Sequence, residues 1–333
     1  MGAPLRLNRR VYLTGSPQPA DFTDASPRRG AWLWTVAKAA LSLAVFGAAC
    51  SRLNLTELAA PLSRANPLLL ALAIAVLAGS IIAAALRWSL LTRPAQPIGA
   101  REANAITFAA QFVGQVLPSS LGQDAVRAWL AARGGRDSAQ VISIILLDRL
   151  CGLIGLSALI FIGLPRLAML GGAAHGREPA LIAGGLALIA LVAAFAARAI
   201  PPPMWLGPIA TKIWSAGRDA ARRLTSTHGL IAILVSIGVQ GLVVLSAWLI
   251  ACALSVPLSL ADGFATIPAA MFVALLPISL NGWGVREGAM IVSLGFTGVA
   301  ASQAFLISIL FGLGLLVTSL PGALTLIFLR RSP

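Results

Sequence analysis

The chain has 333 residues, of which 58% are hydrophobic and only 11% charged, with a mean hydropathy of +0.88. A water-soluble domain is about 25% charged, so the composition excludes an ordinary soluble enzyme and indicates an integral membrane protein. The net charge of +14 sits in arginines that flank apolar runs, so it reads as topology and anionic-lipid contact rather than nucleic-acid binding.

Residues 1–30 are polar, with Pro, Ser and five Arg, and are expected to form a cytoplasmic tail. Apolar runs predict spanning helices at 31–50, 67–92, 139–164, 179–198, 229–252 and 300–329. Lys38 interrupts the first, and Arg87 lies near the end of the second, where it is expected to snorkel. Between the second and third, residues 98–135 are too polar for a simple span. They read as a helix over 98–117, a break at 118–123 and a helix over 124–134. Residues 201–227 open with Pro201, Pro202 and Pro203 and carry Trp205, Lys212, Trp214, Arg218, Arg222 and Arg223, the pattern of an interfacial connector on anionic lipid. Residues 263–297 read as half-helices 264–276 and 284–296 around a break at 277–283. Both polar segments are expected to be re-entrant hairpins, because non-helical backbone at membrane depth must be covered by protein or line a cavity.

The two breaks align without a gap. Pro118 to Arg127 matches Pro277 to Arg286, with Ser120 opposite Ser279, Leu121 opposite Leu280 and Val126 opposite Val285. The fold expected is an all-α polytopic membrane protein with six spanning helices and two oppositely oriented re-entrant hairpins in an inverted repeat. The first repeat is 31–164 with hairpin 98–135, and the second 165–330 with hairpin 263–297. Paired broken segments of this kind point to a transport site. With both termini cytoplasmic, 18 of the 25 Lys/Arg fall inside, and only Arg52, Arg64, Arg166 and Arg177 outside.

Arg127 and Arg286 close the two motifs and are expected near half-helix N-termini, where free N–H groups and a guanidinium suit a phosphate. The competing readings are a loop arginine for Arg127 and a structural pair with Glu287 for Arg286. Asp148 and Arg149 lie about ten residues into their helix and point about 100° apart. Either they face substrate, with Asp148 holding Arg127 or Arg286, or they belong to a buried ion-pair network. Asn104, Gln111 and Gln115 share a helical face with Thr107 alongside, a polar lane or a set of interhelical hydrogen bonds. Asp124 reads as path residue or helix cap. Asn281, Gly282 and Gly284 make a turn whose backbone can approach a ligand, with Trp283 as an interface residue or head-group wall. Pro118, Gly122, Pro277, Gly282 and Gly284 are the hairpin breaks.

Chemistry-bearing motifs are scarce. There is no HExxH, CxxC, Walker loop or Asp-rich magnesium motif. His175 and His228 read as surface residues, and Cys50, Cys151 and Cys252 as small apolar helix residues without disulfide or metal spacing. No cofactor and no metal are expected.

The run Gln111-Phe112-x-x-Gln115-x-Leu117-Pro118-x-x-x-Gly122-x-Asp124-x-x-Arg127, the pair Asp148-Arg149, and Pro277-x-Ser279-x-x-Gly282-x-Gly284-x-Arg286-Glu287 together resemble the lysylphosphatidylglycerol synthase/flippase transmembrane family. The resemblance covers roughly 30–330. Two departures are visible: the soluble aminoacyl-transferase domain of two-domain members does not follow, so lysyl transfer is not carried over, and Gln123 stands where many relatives have Gly. The resemblance implies movement of a polar-headed lipid between leaflets, with Asp124, Arg127, Asp148, Arg149, Arg286 and Glu287 as family-type polar residues.

The function expected is an ATP-independent flippase in a bacterial inner membrane. Its cargo is an anionic or zwitterionic lipid: a phospholipid, an aminoacyl-lipid or a polyprenyl-phosphate glycolipid. Alternatives are an intramembrane lipid-modifying transferase and a non-catalytic partner of lipid-synthesis enzymes. A homo-oligomer is compatible with the sequence, and nucleic acid is not an expected partner.

Overall fold

Asn66 starts the first long helix for a local reason: its side-chain oxygen accepts from the N–H groups of Leu68 and Leu69, and Pro67 occupies a first-turn position where no N–H is needed. The resulting α1, Pro67–Thr92, runs 26 residues, roughly 39 Å at about 1.5 Å per residue. The structure, a computed structural model, describes residues 61–93, 97–116, 120–170, 218–275 and 282–331, with single positions at 47, 59 and 185. The tail 1–30, the expected spans 31–50 and 179–198 and most of the connector 201–227 lie outside the described residues.

The chain continues through α2 (Ala100–Val116), α3 (Ser120–Arg133), α4 (Ser138–Leu170), α5 (Thr227–Ala253), α6 (Leu260–Ala274), α7 (Val285–Gly295), α8 (Ala301–Ser319) and α9 (Pro321–Arg331). Ser226 caps α5 by accepting from the Gly229 N–H, and Ser259 caps α6 by accepting from the Asp262 N–H. Among the described residues the chain is all-helical. Four stretches are long and apolar enough to cross a bilayer: Pro67–Thr92, Gln140–Leu170, Thr227–Ala253 and Ala301–Ile327. It is a multi-pass membrane protein. Leu68, Leu146, Ile162, Leu234 and Leu324 stay exposed on these helices, as a lipid-facing surface requires.

Among the spanning helices, two differ in extent from the sequence expectation. The helix expected over 139–164 runs on to Leu170 despite Pro165. The helix expected over 300–329 is divided at Leu320, because Pro321 has no N–H with which to continue the ladder.

Packing follows a regular scheme. Helices α2 and α3 pack as one pair, and α6 and α7 as another. If α1, α2, α3 and α4 are set opposite α5, α6, α7 and α8, the contacts correspond. α1–α2 matches α5–α6, α3–α4 matches α7–α8, and α1–α4 matches α5–α8. Across the halves, α4–α5 matches α1–α8, and α4–α6 matches α2–α8. The broadest contact is between α1 and α5 themselves. One core gathers Leu77, Ile250, Ile267, Met290 and Ile307, and a second gathers Trp88, Ile106, Ile144 and Leu224.

Small residues set a close crossing between α4 and α5. A Cβ on Gly155 would lie 2.7 Å from the Ser236 carbonyl carbon, so only glycine lets α4 and α5 touch backbone to backbone. That crossing brings Ser236 and Gln240 of α5 up to the polar residues of α4.

Candidate functional site

The first polar cluster is built on Asp148 of α4. Arg87 of α1 approaches it with two nitrogens: Nε donates to Oδ1 at 2.7 Å and Nη2 to Oδ2 at 3.0 Å. Arg87 Nη1 also donates to Ser236 Oγ at 3.3 Å. Arg127 of α3 reaches the same carboxylate with a single bond, Nη1 to Oδ2 at 2.9 Å. All three side chains are buried. Trp88 lies beneath Arg127, its ring centroid 5.7 Å from the guanidinium carbon. Next door, Arg149 donates through Nε to Asp124 at 3.0 Å, joining α4 to α3.

These residues border a half-open cavity of about 250 Å³ among α1, α2, α3, α4 and α5, with Leu275 and Leu315 of α8 adding to an apolar part of its wall. Arg87, Arg127, Asp148 and Arg149 line it, with Thr107, Gln111, Gln123 and Gln240 supplying neutral polar groups. Gln123 donates to Gln111 at 2.9 Å across the α2–α3 pair. Two buried atoms of the lining, Arg127 Nε and Thr107 Oγ1, have no hydrogen-bond partner among the described residues. Buried polar atoms normally find partners, so the cavity retains donor capacity. The three arginines exceed Asp148 and Asp124 by one positive charge.

The opposite face of the α2–α3 pair is apolar. Phe112, Val113, Val126, Trp129 and Leu130 line a groove of about 420 Å³, closed on one side by Ala323, Leu326 and Ile327 of α9. Adjacent residues in the chain therefore serve opposite environments, Gln111 beside Phe112 and Val126 beside Arg127.

The second cluster lies on α7. Gly282 and Gly284 both take positive φ, 83° and 85°, which only glycine adopts without strain. The Gly284 N–H donates to Glu287 Oε2. Arg286 donates to Glu287 Oε1 from Nη2 at 2.8 Å and to Ser308 Oγ from Nε at 3.3 Å. Ser308 in turn donates to Glu287 Oε1 at 3.1 Å. The guanidinium is 4.7 Å from the Trp283 ring centroid and 5.7 Å from that of Phe311. Glu287 is fully buried and Arg286 nearly so.

The structure thus brings together Arg127, Asp148, Arg149, Asp124, Gln111 and Gln123, and separately Arg286, Glu287 and Gly284. Asp148 meets Arg127 and not Arg286. Asp124 pairs with Arg149 instead of capping a helix. Gly122 was expected in the first break but lies inside α3, which starts at Ser120. Arg127 is therefore the eighth residue of α3, beyond the first turn where it was expected. Arg87 does not snorkel: burial beside Asp148 and Ser236 offers it three hydrogen bonds that the lipid interface does not. Gln115 remains on α2 and is not among the residues that line the cavity. Pro118, Pro277, Ser279 and Asn281 lie outside the described residues, and so does the side chain of Ser120.

Arg87, Ser236, Gln240 and Ser308 were not anticipated. Ser236 and Gln240 stand four apart on one face of α5, a signal that was available. Arg87 has only its charge within an apolar helix, which snorkelling explained away.

The sequence model described as "Lysylphosphatidylglycerol synthase TM region" matches residues 35–322. The chain belongs to this family. Comparison with curated proteins finds no match. Membership of the lysylphosphatidylglycerol synthase TM family gives the protein a membrane-lipid-related role, and the two clusters fall within the matched residues.

Proposed function

We propose that the protein is a flippase that moves a lipid with a phosphate-bearing head group between leaflets without ATP. The carrying observation is the arginine-lined cavity in the spanning bundle, with one excess positive charge and buried donors on Arg127 and Thr107 that have no partner among the described residues. An anionic head group supplies the missing acceptor and the missing charge. Arg127 and Arg149 attract it, and Gln111, Gln123 and Thr107 hold its oxygens. The apolar groove on the other face of α2–α3 offers acyl chains a separate surface, so the pair divides polar from apolar as a lipid in transit requires.

The correspondence of helix contacts between the halves supports an inverted repeat with six spans and two re-entrant hairpins, 98–135 and 263–297, within repeats 31–164 and 165–330. The charge distribution favours cytoplasmic termini and a bacterial inner membrane. Among the described residues lining the cavity, every titratable side chain is ion-paired and none is a histidine or cysteine, which favours binding over group transfer. Arg286 we assign to holding the second hairpin through Glu287 and Ser308.

Reconstitution tests this reading. Phosphatidylcholine vesicles carrying labelled phosphatidylglycerol should equilibrate the label between leaflets faster with the protein than without. Arg127→Ala should slow transfer about ten- to a hundred-fold, the worth of one charge-assisted contact. Equal rates in protein-free and wild-type vesicles would falsify the flippase reading.

A further inference from the structure

We propose that Arg87 and Arg127 divide their duties on Asp148: Arg87 is its permanent counter-ion, and Arg127 is a releasable partner that leaves the carboxylate for the phosphate of an incoming lipid. The inference rests on the head-group reading of the cavity and makes Arg87 a positioning residue for that site.

The argument is geometric. Arg87 meets Asp148 with a planar two-nitrogen fork, at 2.7 and 3.0 Å, and Ser236 occupies its remaining terminal nitrogen. Bidentate pairs of this kind are the strongest that arginine makes. The guanidinium is also seated: a Cβ on Gly152 would lie 3.4 Å from Arg87 Nη1. Arg127 has one bond to Asp148, at 2.9 Å, and a buried Nε with no partner among the described residues. The two arginines share a carboxylate and a cavity but not a bonding state.

Removing Arg127 from Asp148 leaves the carboxylate with both oxygens bonded to Arg87. Removing Arg87 leaves it with a single bond, and a buried charge short of partners is costly. Arg127 is therefore the one that can exchange. A phosphodiester presents two free oxygens, which fit adjacent guanidinium nitrogens better than Asp148 Oδ2 alone does. Charge also favours exchange, since the cluster has one positive charge in excess before the anion arrives. Without Arg87, Asp148 would compete for Arg127 with its full charge, and the incoming phosphate would be held less well.

Binding to the purified full chain tests the idea, with phosphatidylglycerol as probe by native mass spectrometry and inorganic phosphate as a parallel arm. Arg127→Ala should weaken phosphatidylglycerol binding about ten- to a hundred-fold while its unfolding temperature falls less than that of Arg87→Ala. Arg87→Ala should weaken binding about ten-fold, and adding Asp148→Asn should restore most of it by freeing Arg127. If Arg87→Ala does not fold while Arg127→Ala does, the counter-ion assignment stands and Arg87→Lys, with and without Asp148→Asn, carries the binding arm. Arg166→Ala, paired with Asp262 away from the cavity, should bind as wild type. Binding of inorganic phosphate with the same ranking would place the recognition in the phosphate, and its absence would place it in the whole lipid. Equal destabilisation by the two alanine variants, no rescue by Asp148→Asn, or no phosphatidylglycerol binding by wild type would each overturn the inference. Loss of vesicle transfer with this binding pattern intact would instead remove the flippase reading alone.

Discussion

Two stretches with the same residue pattern take different local structure over their described residues, 120–127 and 282–286, and in our proposal the difference separates exchange from anchorage. In the first, 118–127, glycine is absorbed into α3 and Arg127 emerges two turns along, reaching a carboxylate on another helix that it shares with Arg87. In the second, 277–286, two glycines at positive φ make a tight turn and Arg286 is the second residue of α7. Its carboxylate is the next residue in the chain, and Ser308, Trp283 and Phe311 enclose it. One arginine has a distant, divided partner and a cavity; the other has a local carboxylate that no second arginine shares among the described residues, and it lines none of the cavities described. A shared motif thus specifies a buried arginine, while its partner's location decides whether that arginine is free to act.

The harshest way to break the comparison is to remove each carboxylate. Asp148→Asn strands two buried arginines and Glu287→Gln strands one, so each should cost about 3–5 kcal/mol, with Asp148→Asn the larger. Thermal unfolding in detergent reads this, and a smaller loss for Asp148→Asn would undo the ranking. Next in size is a crossed pair of alanine variants. Arg127→Ala should lose transfer with modest loss of stability, because Arg87 stays on Asp148. Arg286→Ala should lose stability first, because Glu287 is left buried. Transfer per folded protein that falls equally in both would merge the two roles.

The glycines sharpen the contrast with effects of opposite sign. Gly282→Ala must place a Cβ at φ 83°, a penalty of about 1–2 kcal/mol. Gly122→Ala lies in helix and should gain about 0.5–1 kcal/mol. Matching signs in urea or thermal titrations would mean that the two turns are alike after all. The smallest expected effect concerns a pair outside both clusters. The hydrogen bond from Arg166, with that from Ser259, holds the Asp262 carboxyl below its ordinary range. A depressed carboxylate stabilises the fold above its unfolded pKa, and that contribution is lost as pH falls through the folded value. The acid limb of unfolding temperature against pH should therefore flatten slightly in Asp262→Asn; an unchanged limb would show that the pair adds nothing.

Much of this was legible in the sequence. Hydropathy located α1 and α5 to within two residues, since long apolar runs admit only a helix in lipid. The polar breaks located the two helix pairs, and the 100° offset between Asp148 and Arg149 anticipated their different partners. The rest depended on information that periodicity does not carry. Whether Gly122 continues a helix or ends one is settled by packing of α3 on α2, not by the glycine. Arg87 looked peripheral because its partner lies 61 residues later. The choice between Arg127 and Arg286 for Asp148 was left open by spacing alone and is closed by which helix lies beside α4.

That 61-residue separation also has a meaning in time. At about 5–20 residues per second, a ribosome needs roughly 3–12 s to deliver Asp148 after Arg87 has been made. Through that interval α1 holds an arginine without its carboxylate, whereas Arg286 receives Glu287 at the next step of synthesis. Measured from the synthesis of its own arginine, the first pair closes after a delay and the second at once. Nascent chains halted before Asp148 should leave a cysteine at position 87 open to thiol reagents, and chains halted after α4 has emerged should close it.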